Sequence, residues 1–399
     1  MDIVTKLSRK QRRLERALGY WEDLAGDISA EKLHTLNEQR TQLYKTLTDG
    51  LQDELFVARS AELLTNLYPL GERGGYLKEW IPLMQQAYTS LPPDNPLVCQ
   101  LLNQLAYSFF QENRLDEADT ALKQIPKPYC DRFQSSLSLY YSALILIKRN
   151  HLSEAIERLH QSIDNFKALG NRAMQKLGSV YMACAVVYRN QGKYDVALKF
   201  SQKAIIAYRN AKDVLYEARS HLTFASIHRE NQQYNAALHA LDTAEKLLSQ
   251  TISQPDEIDL WTNRGVIYAR QENWKASLAA FEQVNHAFLE ENNNPSLLVY
   301  VYYNRAFALD KLHQHKSAVP LYQQAQELWI RLGNKAELAI NQSQLAEATI
   351  LSGQLKQGLQ LWEASLQMLK AAPQTPFIIK RRKEIAGFDV DWIQKHKCD

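Results

Sequence analysis

Two asparagines 41 residues apart are the residues of this chain best suited to hold a ligand: Asn263 in WTNRG and Asn304 in YYNRA. A side-chain amide carries a donor and an acceptor together, so a ladder of amides can clamp the backbone of an extended peptide. Cations recur at similar intervals, as Lys148, Arg189, Arg229, Arg270 and Lys311. Stacked elements would align them into one positive stripe facing acidic side chains, a carboxylate terminus or phosphates. The plainer alternative is that each cation caps the carbonyl end of a helix, where the helix dipole favours it, while the amides merely solvate or brace a surface. Tyr107, Phe110, Tyr140, Tyr303 and Phe307 fall among the same positions and would serve as apolar anchors or as core.

Catalytic constellations are missing. GxSxG, HExxH, GxGxxG and the phosphate loop GxxxxGK[ST] do not occur, so no catalytic residue, cofactor or enzyme activity is assigned. His313 and His315 in KLHQHKSA are two apart, which puts them on different faces of a helix. They read as solvated turn histidines, and no metal site is assigned. Four cysteines (Cys99, Cys130, Cys184 and Cys398) lie far apart without a CxxC spacing. They suggest neither a disulfide framework nor a zinc site, and the first three read as small buried packing residues.

The elements that would position these residues are helices. The chain has 399 residues, 45% hydrophobic, with only 14 Gly and 12 Pro, a balance that favours helix over strand. A net charge of +3 is too small to imply a polyanionic partner for the chain as a whole. The N-terminus MDIVTKLSRKQRR has no apolar segment behind its charges, and the longest strongly apolar run, residues 139–147, is too short to span a bilayer. The expectation is a cytoplasmic protein with no membrane contact.

A pattern of small-x2-aromatic followed by small-x3-large recurs along most of the chain. Trp261–Phe281, WTNRGVIYARQENWKASLAAF, shows it as Gly265, Tyr268, Ser277 and Phe281. The second small residue recurs at Ala118, Ala155, Ala197, Ala237, Ser277, Ala318 and Gly358, in steps of 37, 42, 40, 40, 41 and 40. A degenerate earlier copy lies in GYLKEWIPLMQQAY. Two antiparallel helices joined by a tight turn need small residues where their axes approach and large ones to fill the gap to the next pair. One pair cannot bury its apolar face, so neighbours must stack.

On these residues the chain resembles the tetratricopeptide repeat (TPR) family, with Trp261, Gly265, Tyr268 and Phe281 at signature positions, Ser277 for the alanine and Arg264 for the leucine. The period of about 40 exceeds the family's 34 and resembles the repeats of peptide-sensing bacterial regulators and of the sensor regions of signal-transduction ATPases. The extra residues fall in joints such as IAYRNAKDVLYEARS and imply longer helices. The resemblance implies an all-α solenoid, a right-handed superhelix whose first helices line a concave groove. The groove would bind a peptide or protein segment through Asn263, Asn304, Arg189, Arg229, Arg270, Lys311, Tyr303 and Tyr107, with an acidic ligand suited to the cations. A regulator responding to nucleic acid or a small effector is the alternative.

The organisation expected is an N-terminal helical segment at 1–51, about eight helix pairs over 52–371, and a C-terminal capping helix at 372–399 carrying Trp392. Near the N-terminus, Lys6, Arg9, Lys10, Arg12, Arg13 and Arg16 face only Asp2 and Glu15. Val4, Leu7, Leu14, Leu18 and Trp21 form an apolar stripe. This basic amphipathic helix would dock on the first repeat, or contact nucleic acid or an acidic partner.

Overall fold

The computed structural model of the chain describes residues 7–25, 35, 38–74, 77–251, 253–371 and 376–386. Every regular element among them is helical, and the helices alternate in pairs joined by short turns. Val4, Lys6, Trp392 and Cys398 lie outside the described residues.

The turn inside each pair is built the same way seven times. Asn113, Asn150, Gly192, Gln232, Glu272, His313 and Gly353 adopt φ between 58° and 97°, each five residues before the second-helix small residue. The amide of the following residue closes back on the first helix: Arg114 N donates to Phe109 O at 2.8 Å, Lys193 N to Tyr188 O at 2.9 Å, Asn273 N to Tyr268 O at 2.9 Å and Gln354 N to Thr349 O at 3.1 Å. This closure satisfies carbonyls that a helix end leaves orphaned. Only two of the seven positions are glycine, so the others bear the cost of the left-handed region, about 1–2 kcal/mol for an L-residue. His313 is one of these turn residues.

Packing explains the small residues. Ala118, Ala155, Ala197, Ala237, Ser277 and Ala318 are all fully buried. A Cβ on Gly265 would stand 2.6 Å from the Phe281 ring, and one on Gly358 would stand 2.5 Å from Ile350. Ser277 uses its hydroxyl at the same contact, donating to Gly265 O at 2.9 Å.

Two compact units divide the chain, Met1–Lys193 and Tyr194–Asp399. In the first, α1 (Arg9–Ala25), α2 (Arg40–Leu51), α3 (Val57–Gly74) and α4 (Leu77–Ser90) precede α5 (Pro96–Gln111), α6 (Leu115–Lys123), α7 (Arg132–Lys148), α8 (Leu152–Lys167) and α9 (Met174–Asn190). Leu14, Leu18 and Trp21 of α1 join Leu43 and Leu47 of α2 in one core with residues of the helices that follow, so α1 docks by its apolar stripe.

The second unit holds α10 (Tyr194–Asn210), α11 (Val214–Glu230), α12 (Tyr234–Leu248), α13 (Gln254–Arg270), α14 (Trp274–Glu282), α15 (His286–Glu291), α16 (Pro295–Lys311), α17 (His315–Leu332), α18 (Lys335–Leu351), α19 (Leu355–Ala371) and α20 (Pro376–Ala386). Ile378 of α20 is buried against Ala339, Ile340 and Leu369, and Arg381 donates to Ser343 Oγ at 2.9 Å and Glu347 Oε2 at 2.7 Å. This helix covers α18 and α19.

Two expectations need correction. The extra residues do lengthen most second helices to 15–18 residues, but α6 and α14 have only nine each. After α14 the extra residues form a separate short helix, α15, because Asn285 caps a new N-terminus by accepting from Phe288 N at 3.1 Å. Cys99 and Cys130, read as packing residues, form a disulfide with their Cα atoms 5.8 Å apart. Their separation of 31 residues is one helix pair, after which the chain returns past the start of α5. A motif search at short spacing cannot register that return. Cys184 is fully buried, as expected.

Candidate functional site

The residues singled out from sequence divide between the two units. In the first, Tyr107 stacks on Phe110 at 6.3 Å and tilts against Tyr141 at 5.1 Å, while its hydroxyl accepts from Gln111 Nε2 at 2.6 Å. Lys148 Nζ lies 6.0 Å above the Phe110 ring. Arg189 is half-buried in the last turn of α9, with Nη2 3.4 Å from Asn190 Oδ1.

In the second unit, α11 and α13 bring Arg229 and Arg270 to one cleft of roughly 550 Å³. Tyr300 of α16, Val266 of α13, Tyr194, Tyr234, Glu230 and Gln232 complete its wall. Both arginines occupy the last turn of their helices, where the dipole favours a cation. The helix-end reading of the cation series and the ligand reading are therefore compatible here.

Arg229 is held by a chain of polar contacts. Its Nη1 donates to Asn263 Oδ1 at 2.7 Å, and Asn263 Nδ2 donates to Asp259 O and to Asp259 Oδ1, each at 2.9 Å. A guanidinium can only donate, so the amide must turn its oxygen to Arg229 and its nitrogen to Asp259. Asn263 is only 6% exposed and braces α11 against α13, as the plainer reading of the amides from sequence allowed. Asn304 differs, being half-buried, with Nδ2 donating to Tyr300 O at 2.7 Å.

Burial pushes the Tyr300 hydroxyl up from its ordinary pKa, while Arg229 and Arg270 pull it back. The ring is 38% exposed and lies among the cleft residues, an apolar surface beside two positive charges. A carboxylate or phosphate could take guanidinium hydrogen bonds there, with an apolar group laid on the tyrosines.

Tyr303 belongs elsewhere. It packs against Tyr322 at 6.0 Å and Phe307 at 6.3 Å, and burial raises its hydroxyl to about 12. Lys311 is exposed, with Nζ 5.2 Å above the Phe307 ring. His315 contacts the Asp310 carboxylate at 2.6 Å. Arg264, at the signature leucine position, reaches Asp242 at 2.7 Å and Glu245 at 2.9 Å while its guanidinium covers Trp261.

Tyr300, Tyr194 and Tyr234 were not singled out from sequence. Tyr300 is four residues before Asn304, hence on the same helical face, and that spacing was the available signal. Tyr194 and Tyr234 begin second helices, whose first residues the repeat pattern leaves unspecified.

No protein-family model matches the chain, and no curated protein matches it. Solved structures do. A Rap protein complexed with Competence and Sporulation Factor is 13% identical with a TM-score of 0.55, covering 84% of this chain and 98% of that one. NprR in complex with its cognate peptide NprX is 16% identical at 0.50, covering 70% and 81%. A signal transduction ATPase with a tetratricopeptide repeat sensor from Pyrococcus horikoshii is 14% identical at 0.50, covering 77% of this chain and 50% of its own. At these identities the likeness establishes the fold, an all-α solenoid of TPR-like helix pairs.

Proposed function

We propose that the chain is a peptide-binding scaffold or adaptor, working by recognition in bacterial signalling or regulation and residing in the cytoplasm. The observation that carries this reading is the cleft where Arg229, Arg270 and Tyr300 meet. Cations and aromatics converging in one concavity suit an extended peptide with an acidic side chain or a terminal carboxylate. Solved structures of the same fold hold a cognate peptide in one case and Competence and Sporulation Factor in another, which supports a ligand of this class.

In this reading Arg229 and Arg270 take the negative group and the tyrosines take a neighbouring apolar side chain. Asn263 acts through Arg229 as a positioning residue, and Asn304 offers its remaining amide capacity to the peptide backbone. Arg189, Lys311, Tyr107 and Tyr303 are secondary in the proposal, since none of them lines this cleft.

A random heptapeptide library with free C-terminal carboxylates, selected on the full chain, tests the reading. Enriched peptides should carry acidic groups and lose binding to Arg270→Glu. Failure to enrich any sequence, or enrichment indifferent to Arg270→Glu, would overturn it.

A further inference from the structure

Outside the cleft, the most concentrated charge lies on α1. Arg9, Arg12, Arg13 and Arg16 stand at i, i+3, i+4 and i+7, the spacing that puts four side chains on one helical face. All four are exposed, as is Lys10 beside them. The opposite face carries Leu14, Leu18 and Trp21, buried against the core, with Trp21 Nε1 donating to Thr46 Oγ1 at 3.3 Å. The helix is thus fixed by one side and presents arginines on the other.

Nearby acids do not neutralise that face. Glu22 is taken by Arg59, both of whose contacts are 2.6 Å, and Glu15 also acts on Arg59. Asp53 receives Gln11 Nε2 at 3.3 Å. None of the five cations has an ion-pair partner among the described residues. Glu15, three residues after Arg12, borders the arginine face, and the next acid on it is Asp23, seven residues beyond Arg16, about 10 Å along the helix.

Local structure does not account for these cations. Arg9, Lys10 and Arg12 stand in the first turn of a helix with no acid there, where the dipole disfavours positive charge. The capping is done instead by Ser8 and Gln11, whose side chains accept from each other's backbone amides at 3.1 and 3.0 Å. The arginines therefore cost helix stability and return none through it. A strong anionic partner would reverse that balance.

We infer that the arginine face of α1 binds the phosphate backbone of duplex nucleic acid, without reading its sequence. Four guanidinium groups span about 10 Å, over which a duplex presents roughly six phosphate charges. Arginine outnumbers lysine on this face four to one, and its fork matches phosphate oxygens in pairs. A bilayer is a poorer fit, because the apolar side that would enter it is already buried in the core. The inference stands apart from the peptide cleft, which lies in the other unit.

The test is fluorescence anisotropy of the full chain with a labelled 20-base-pair DNA duplex, repeated from 50 to 200 mM salt. Four phosphate contacts give a slope of log affinity against log salt near −3.6, or roughly a 150-fold loss over that range. Each single Arg→Gln change at Arg9, Arg12, Arg13 or Arg16 should reduce the slope by about one. The quadruple change should abolish binding while leaving the helical circular dichroism intact, since these side chains face solvent. Absence of duplex binding at 50 mM salt overturns the inference, as does a slope that none of the single variants alters. So does preferential binding to phosphatidylserine vesicles over the duplex.

Discussion

At the residue scale, Arg229 and Arg270 do different work despite equivalent places in their helices. Arg229 is braced through Asn263 to Asp259, whereas Arg270 is exposed in the same cleft. Removing the Asn263 amide leaves a guanidinium and a carboxylate without their shared partner. We expect Asn263→Ala to lower stability by about 1 kcal/mol in urea titration, the net worth of a hydrogen bond that ties α11 to α13, and to weaken peptide binding as well. Arg270→Glu should leave the unfolding free energy within about 0.5 kcal/mol of wild type, as surface changes do. A stable Asn263→Ala variant would show that the brace carries no load. The sequence revealed that positions 263 and 304 correspond, but not that one amide is consumed by a neighbouring arginine. That outcome depends on the offset between α11 and α13, which periodicity does not specify.

At the scale of the helix pair, far more was legible. The spacing of Gly265, Tyr268, Ser277 and Phe281 locates the axis contact, the turn and the filler, and the structure uses each accordingly. The exceptions have local causes that sequence also held. Pro126 and Pro128 follow the short α6, and Asn285 starts α15. Gly265→Ala should destabilise by about 1–3 kcal/mol, because its Cβ would enter the Phe281 ring. Ala237→Trp, at a fully buried contact, should cost at least as much. Unchanged thermal melting in both would remove these residues from the interface.

A pH dependence belongs to the same scale. His221 of α11 is held below the ordinary histidine range, chiefly by burial, and His286 of α15 likewise. Their unfolded forms take up protons first as pH falls through about 6.5, so both withdraw stability below that pH. Melting temperature should therefore drop between pH 7 and pH 5, and His221→Gln should flatten the drop. An equal drop in that variant would assign the effect to other groups.

At the scale of the whole molecule, the fold class was readable because a period of about 40 residues repeats seven times, and each copy carries its own packing instruction. The Cys99–Cys130 bond was not, since it depends on where the chain passes after one pair. Closing 31 residues, it should stabilise the N-terminal unit by about 3–4 kcal/mol in the chain-entropy account. Cys130→Ser, compared with wild type under oxidising and reducing conditions, checks this. The variant should melt like reduced wild type, and a variant as stable as the oxidised protein would contradict it.

The measurement that bears most directly on peptide recognition is calorimetric titration of one library-selected acidic heptapeptide into wild type and five variants of the full chain. Asn304→Ala should weaken binding by about 1 kcal/mol, and Asn263→Ala by at least that. Arg229→Glu and Arg270→Glu should weaken it further, and more so at low salt. Lys246→Glu, an exposed change on α12 away from the cleft residues, should bind as wild type does. Normal binding by the two arginine and two asparagine variants, with binding lost in Lys246→Glu, would place the ligand on another surface and contradict the account.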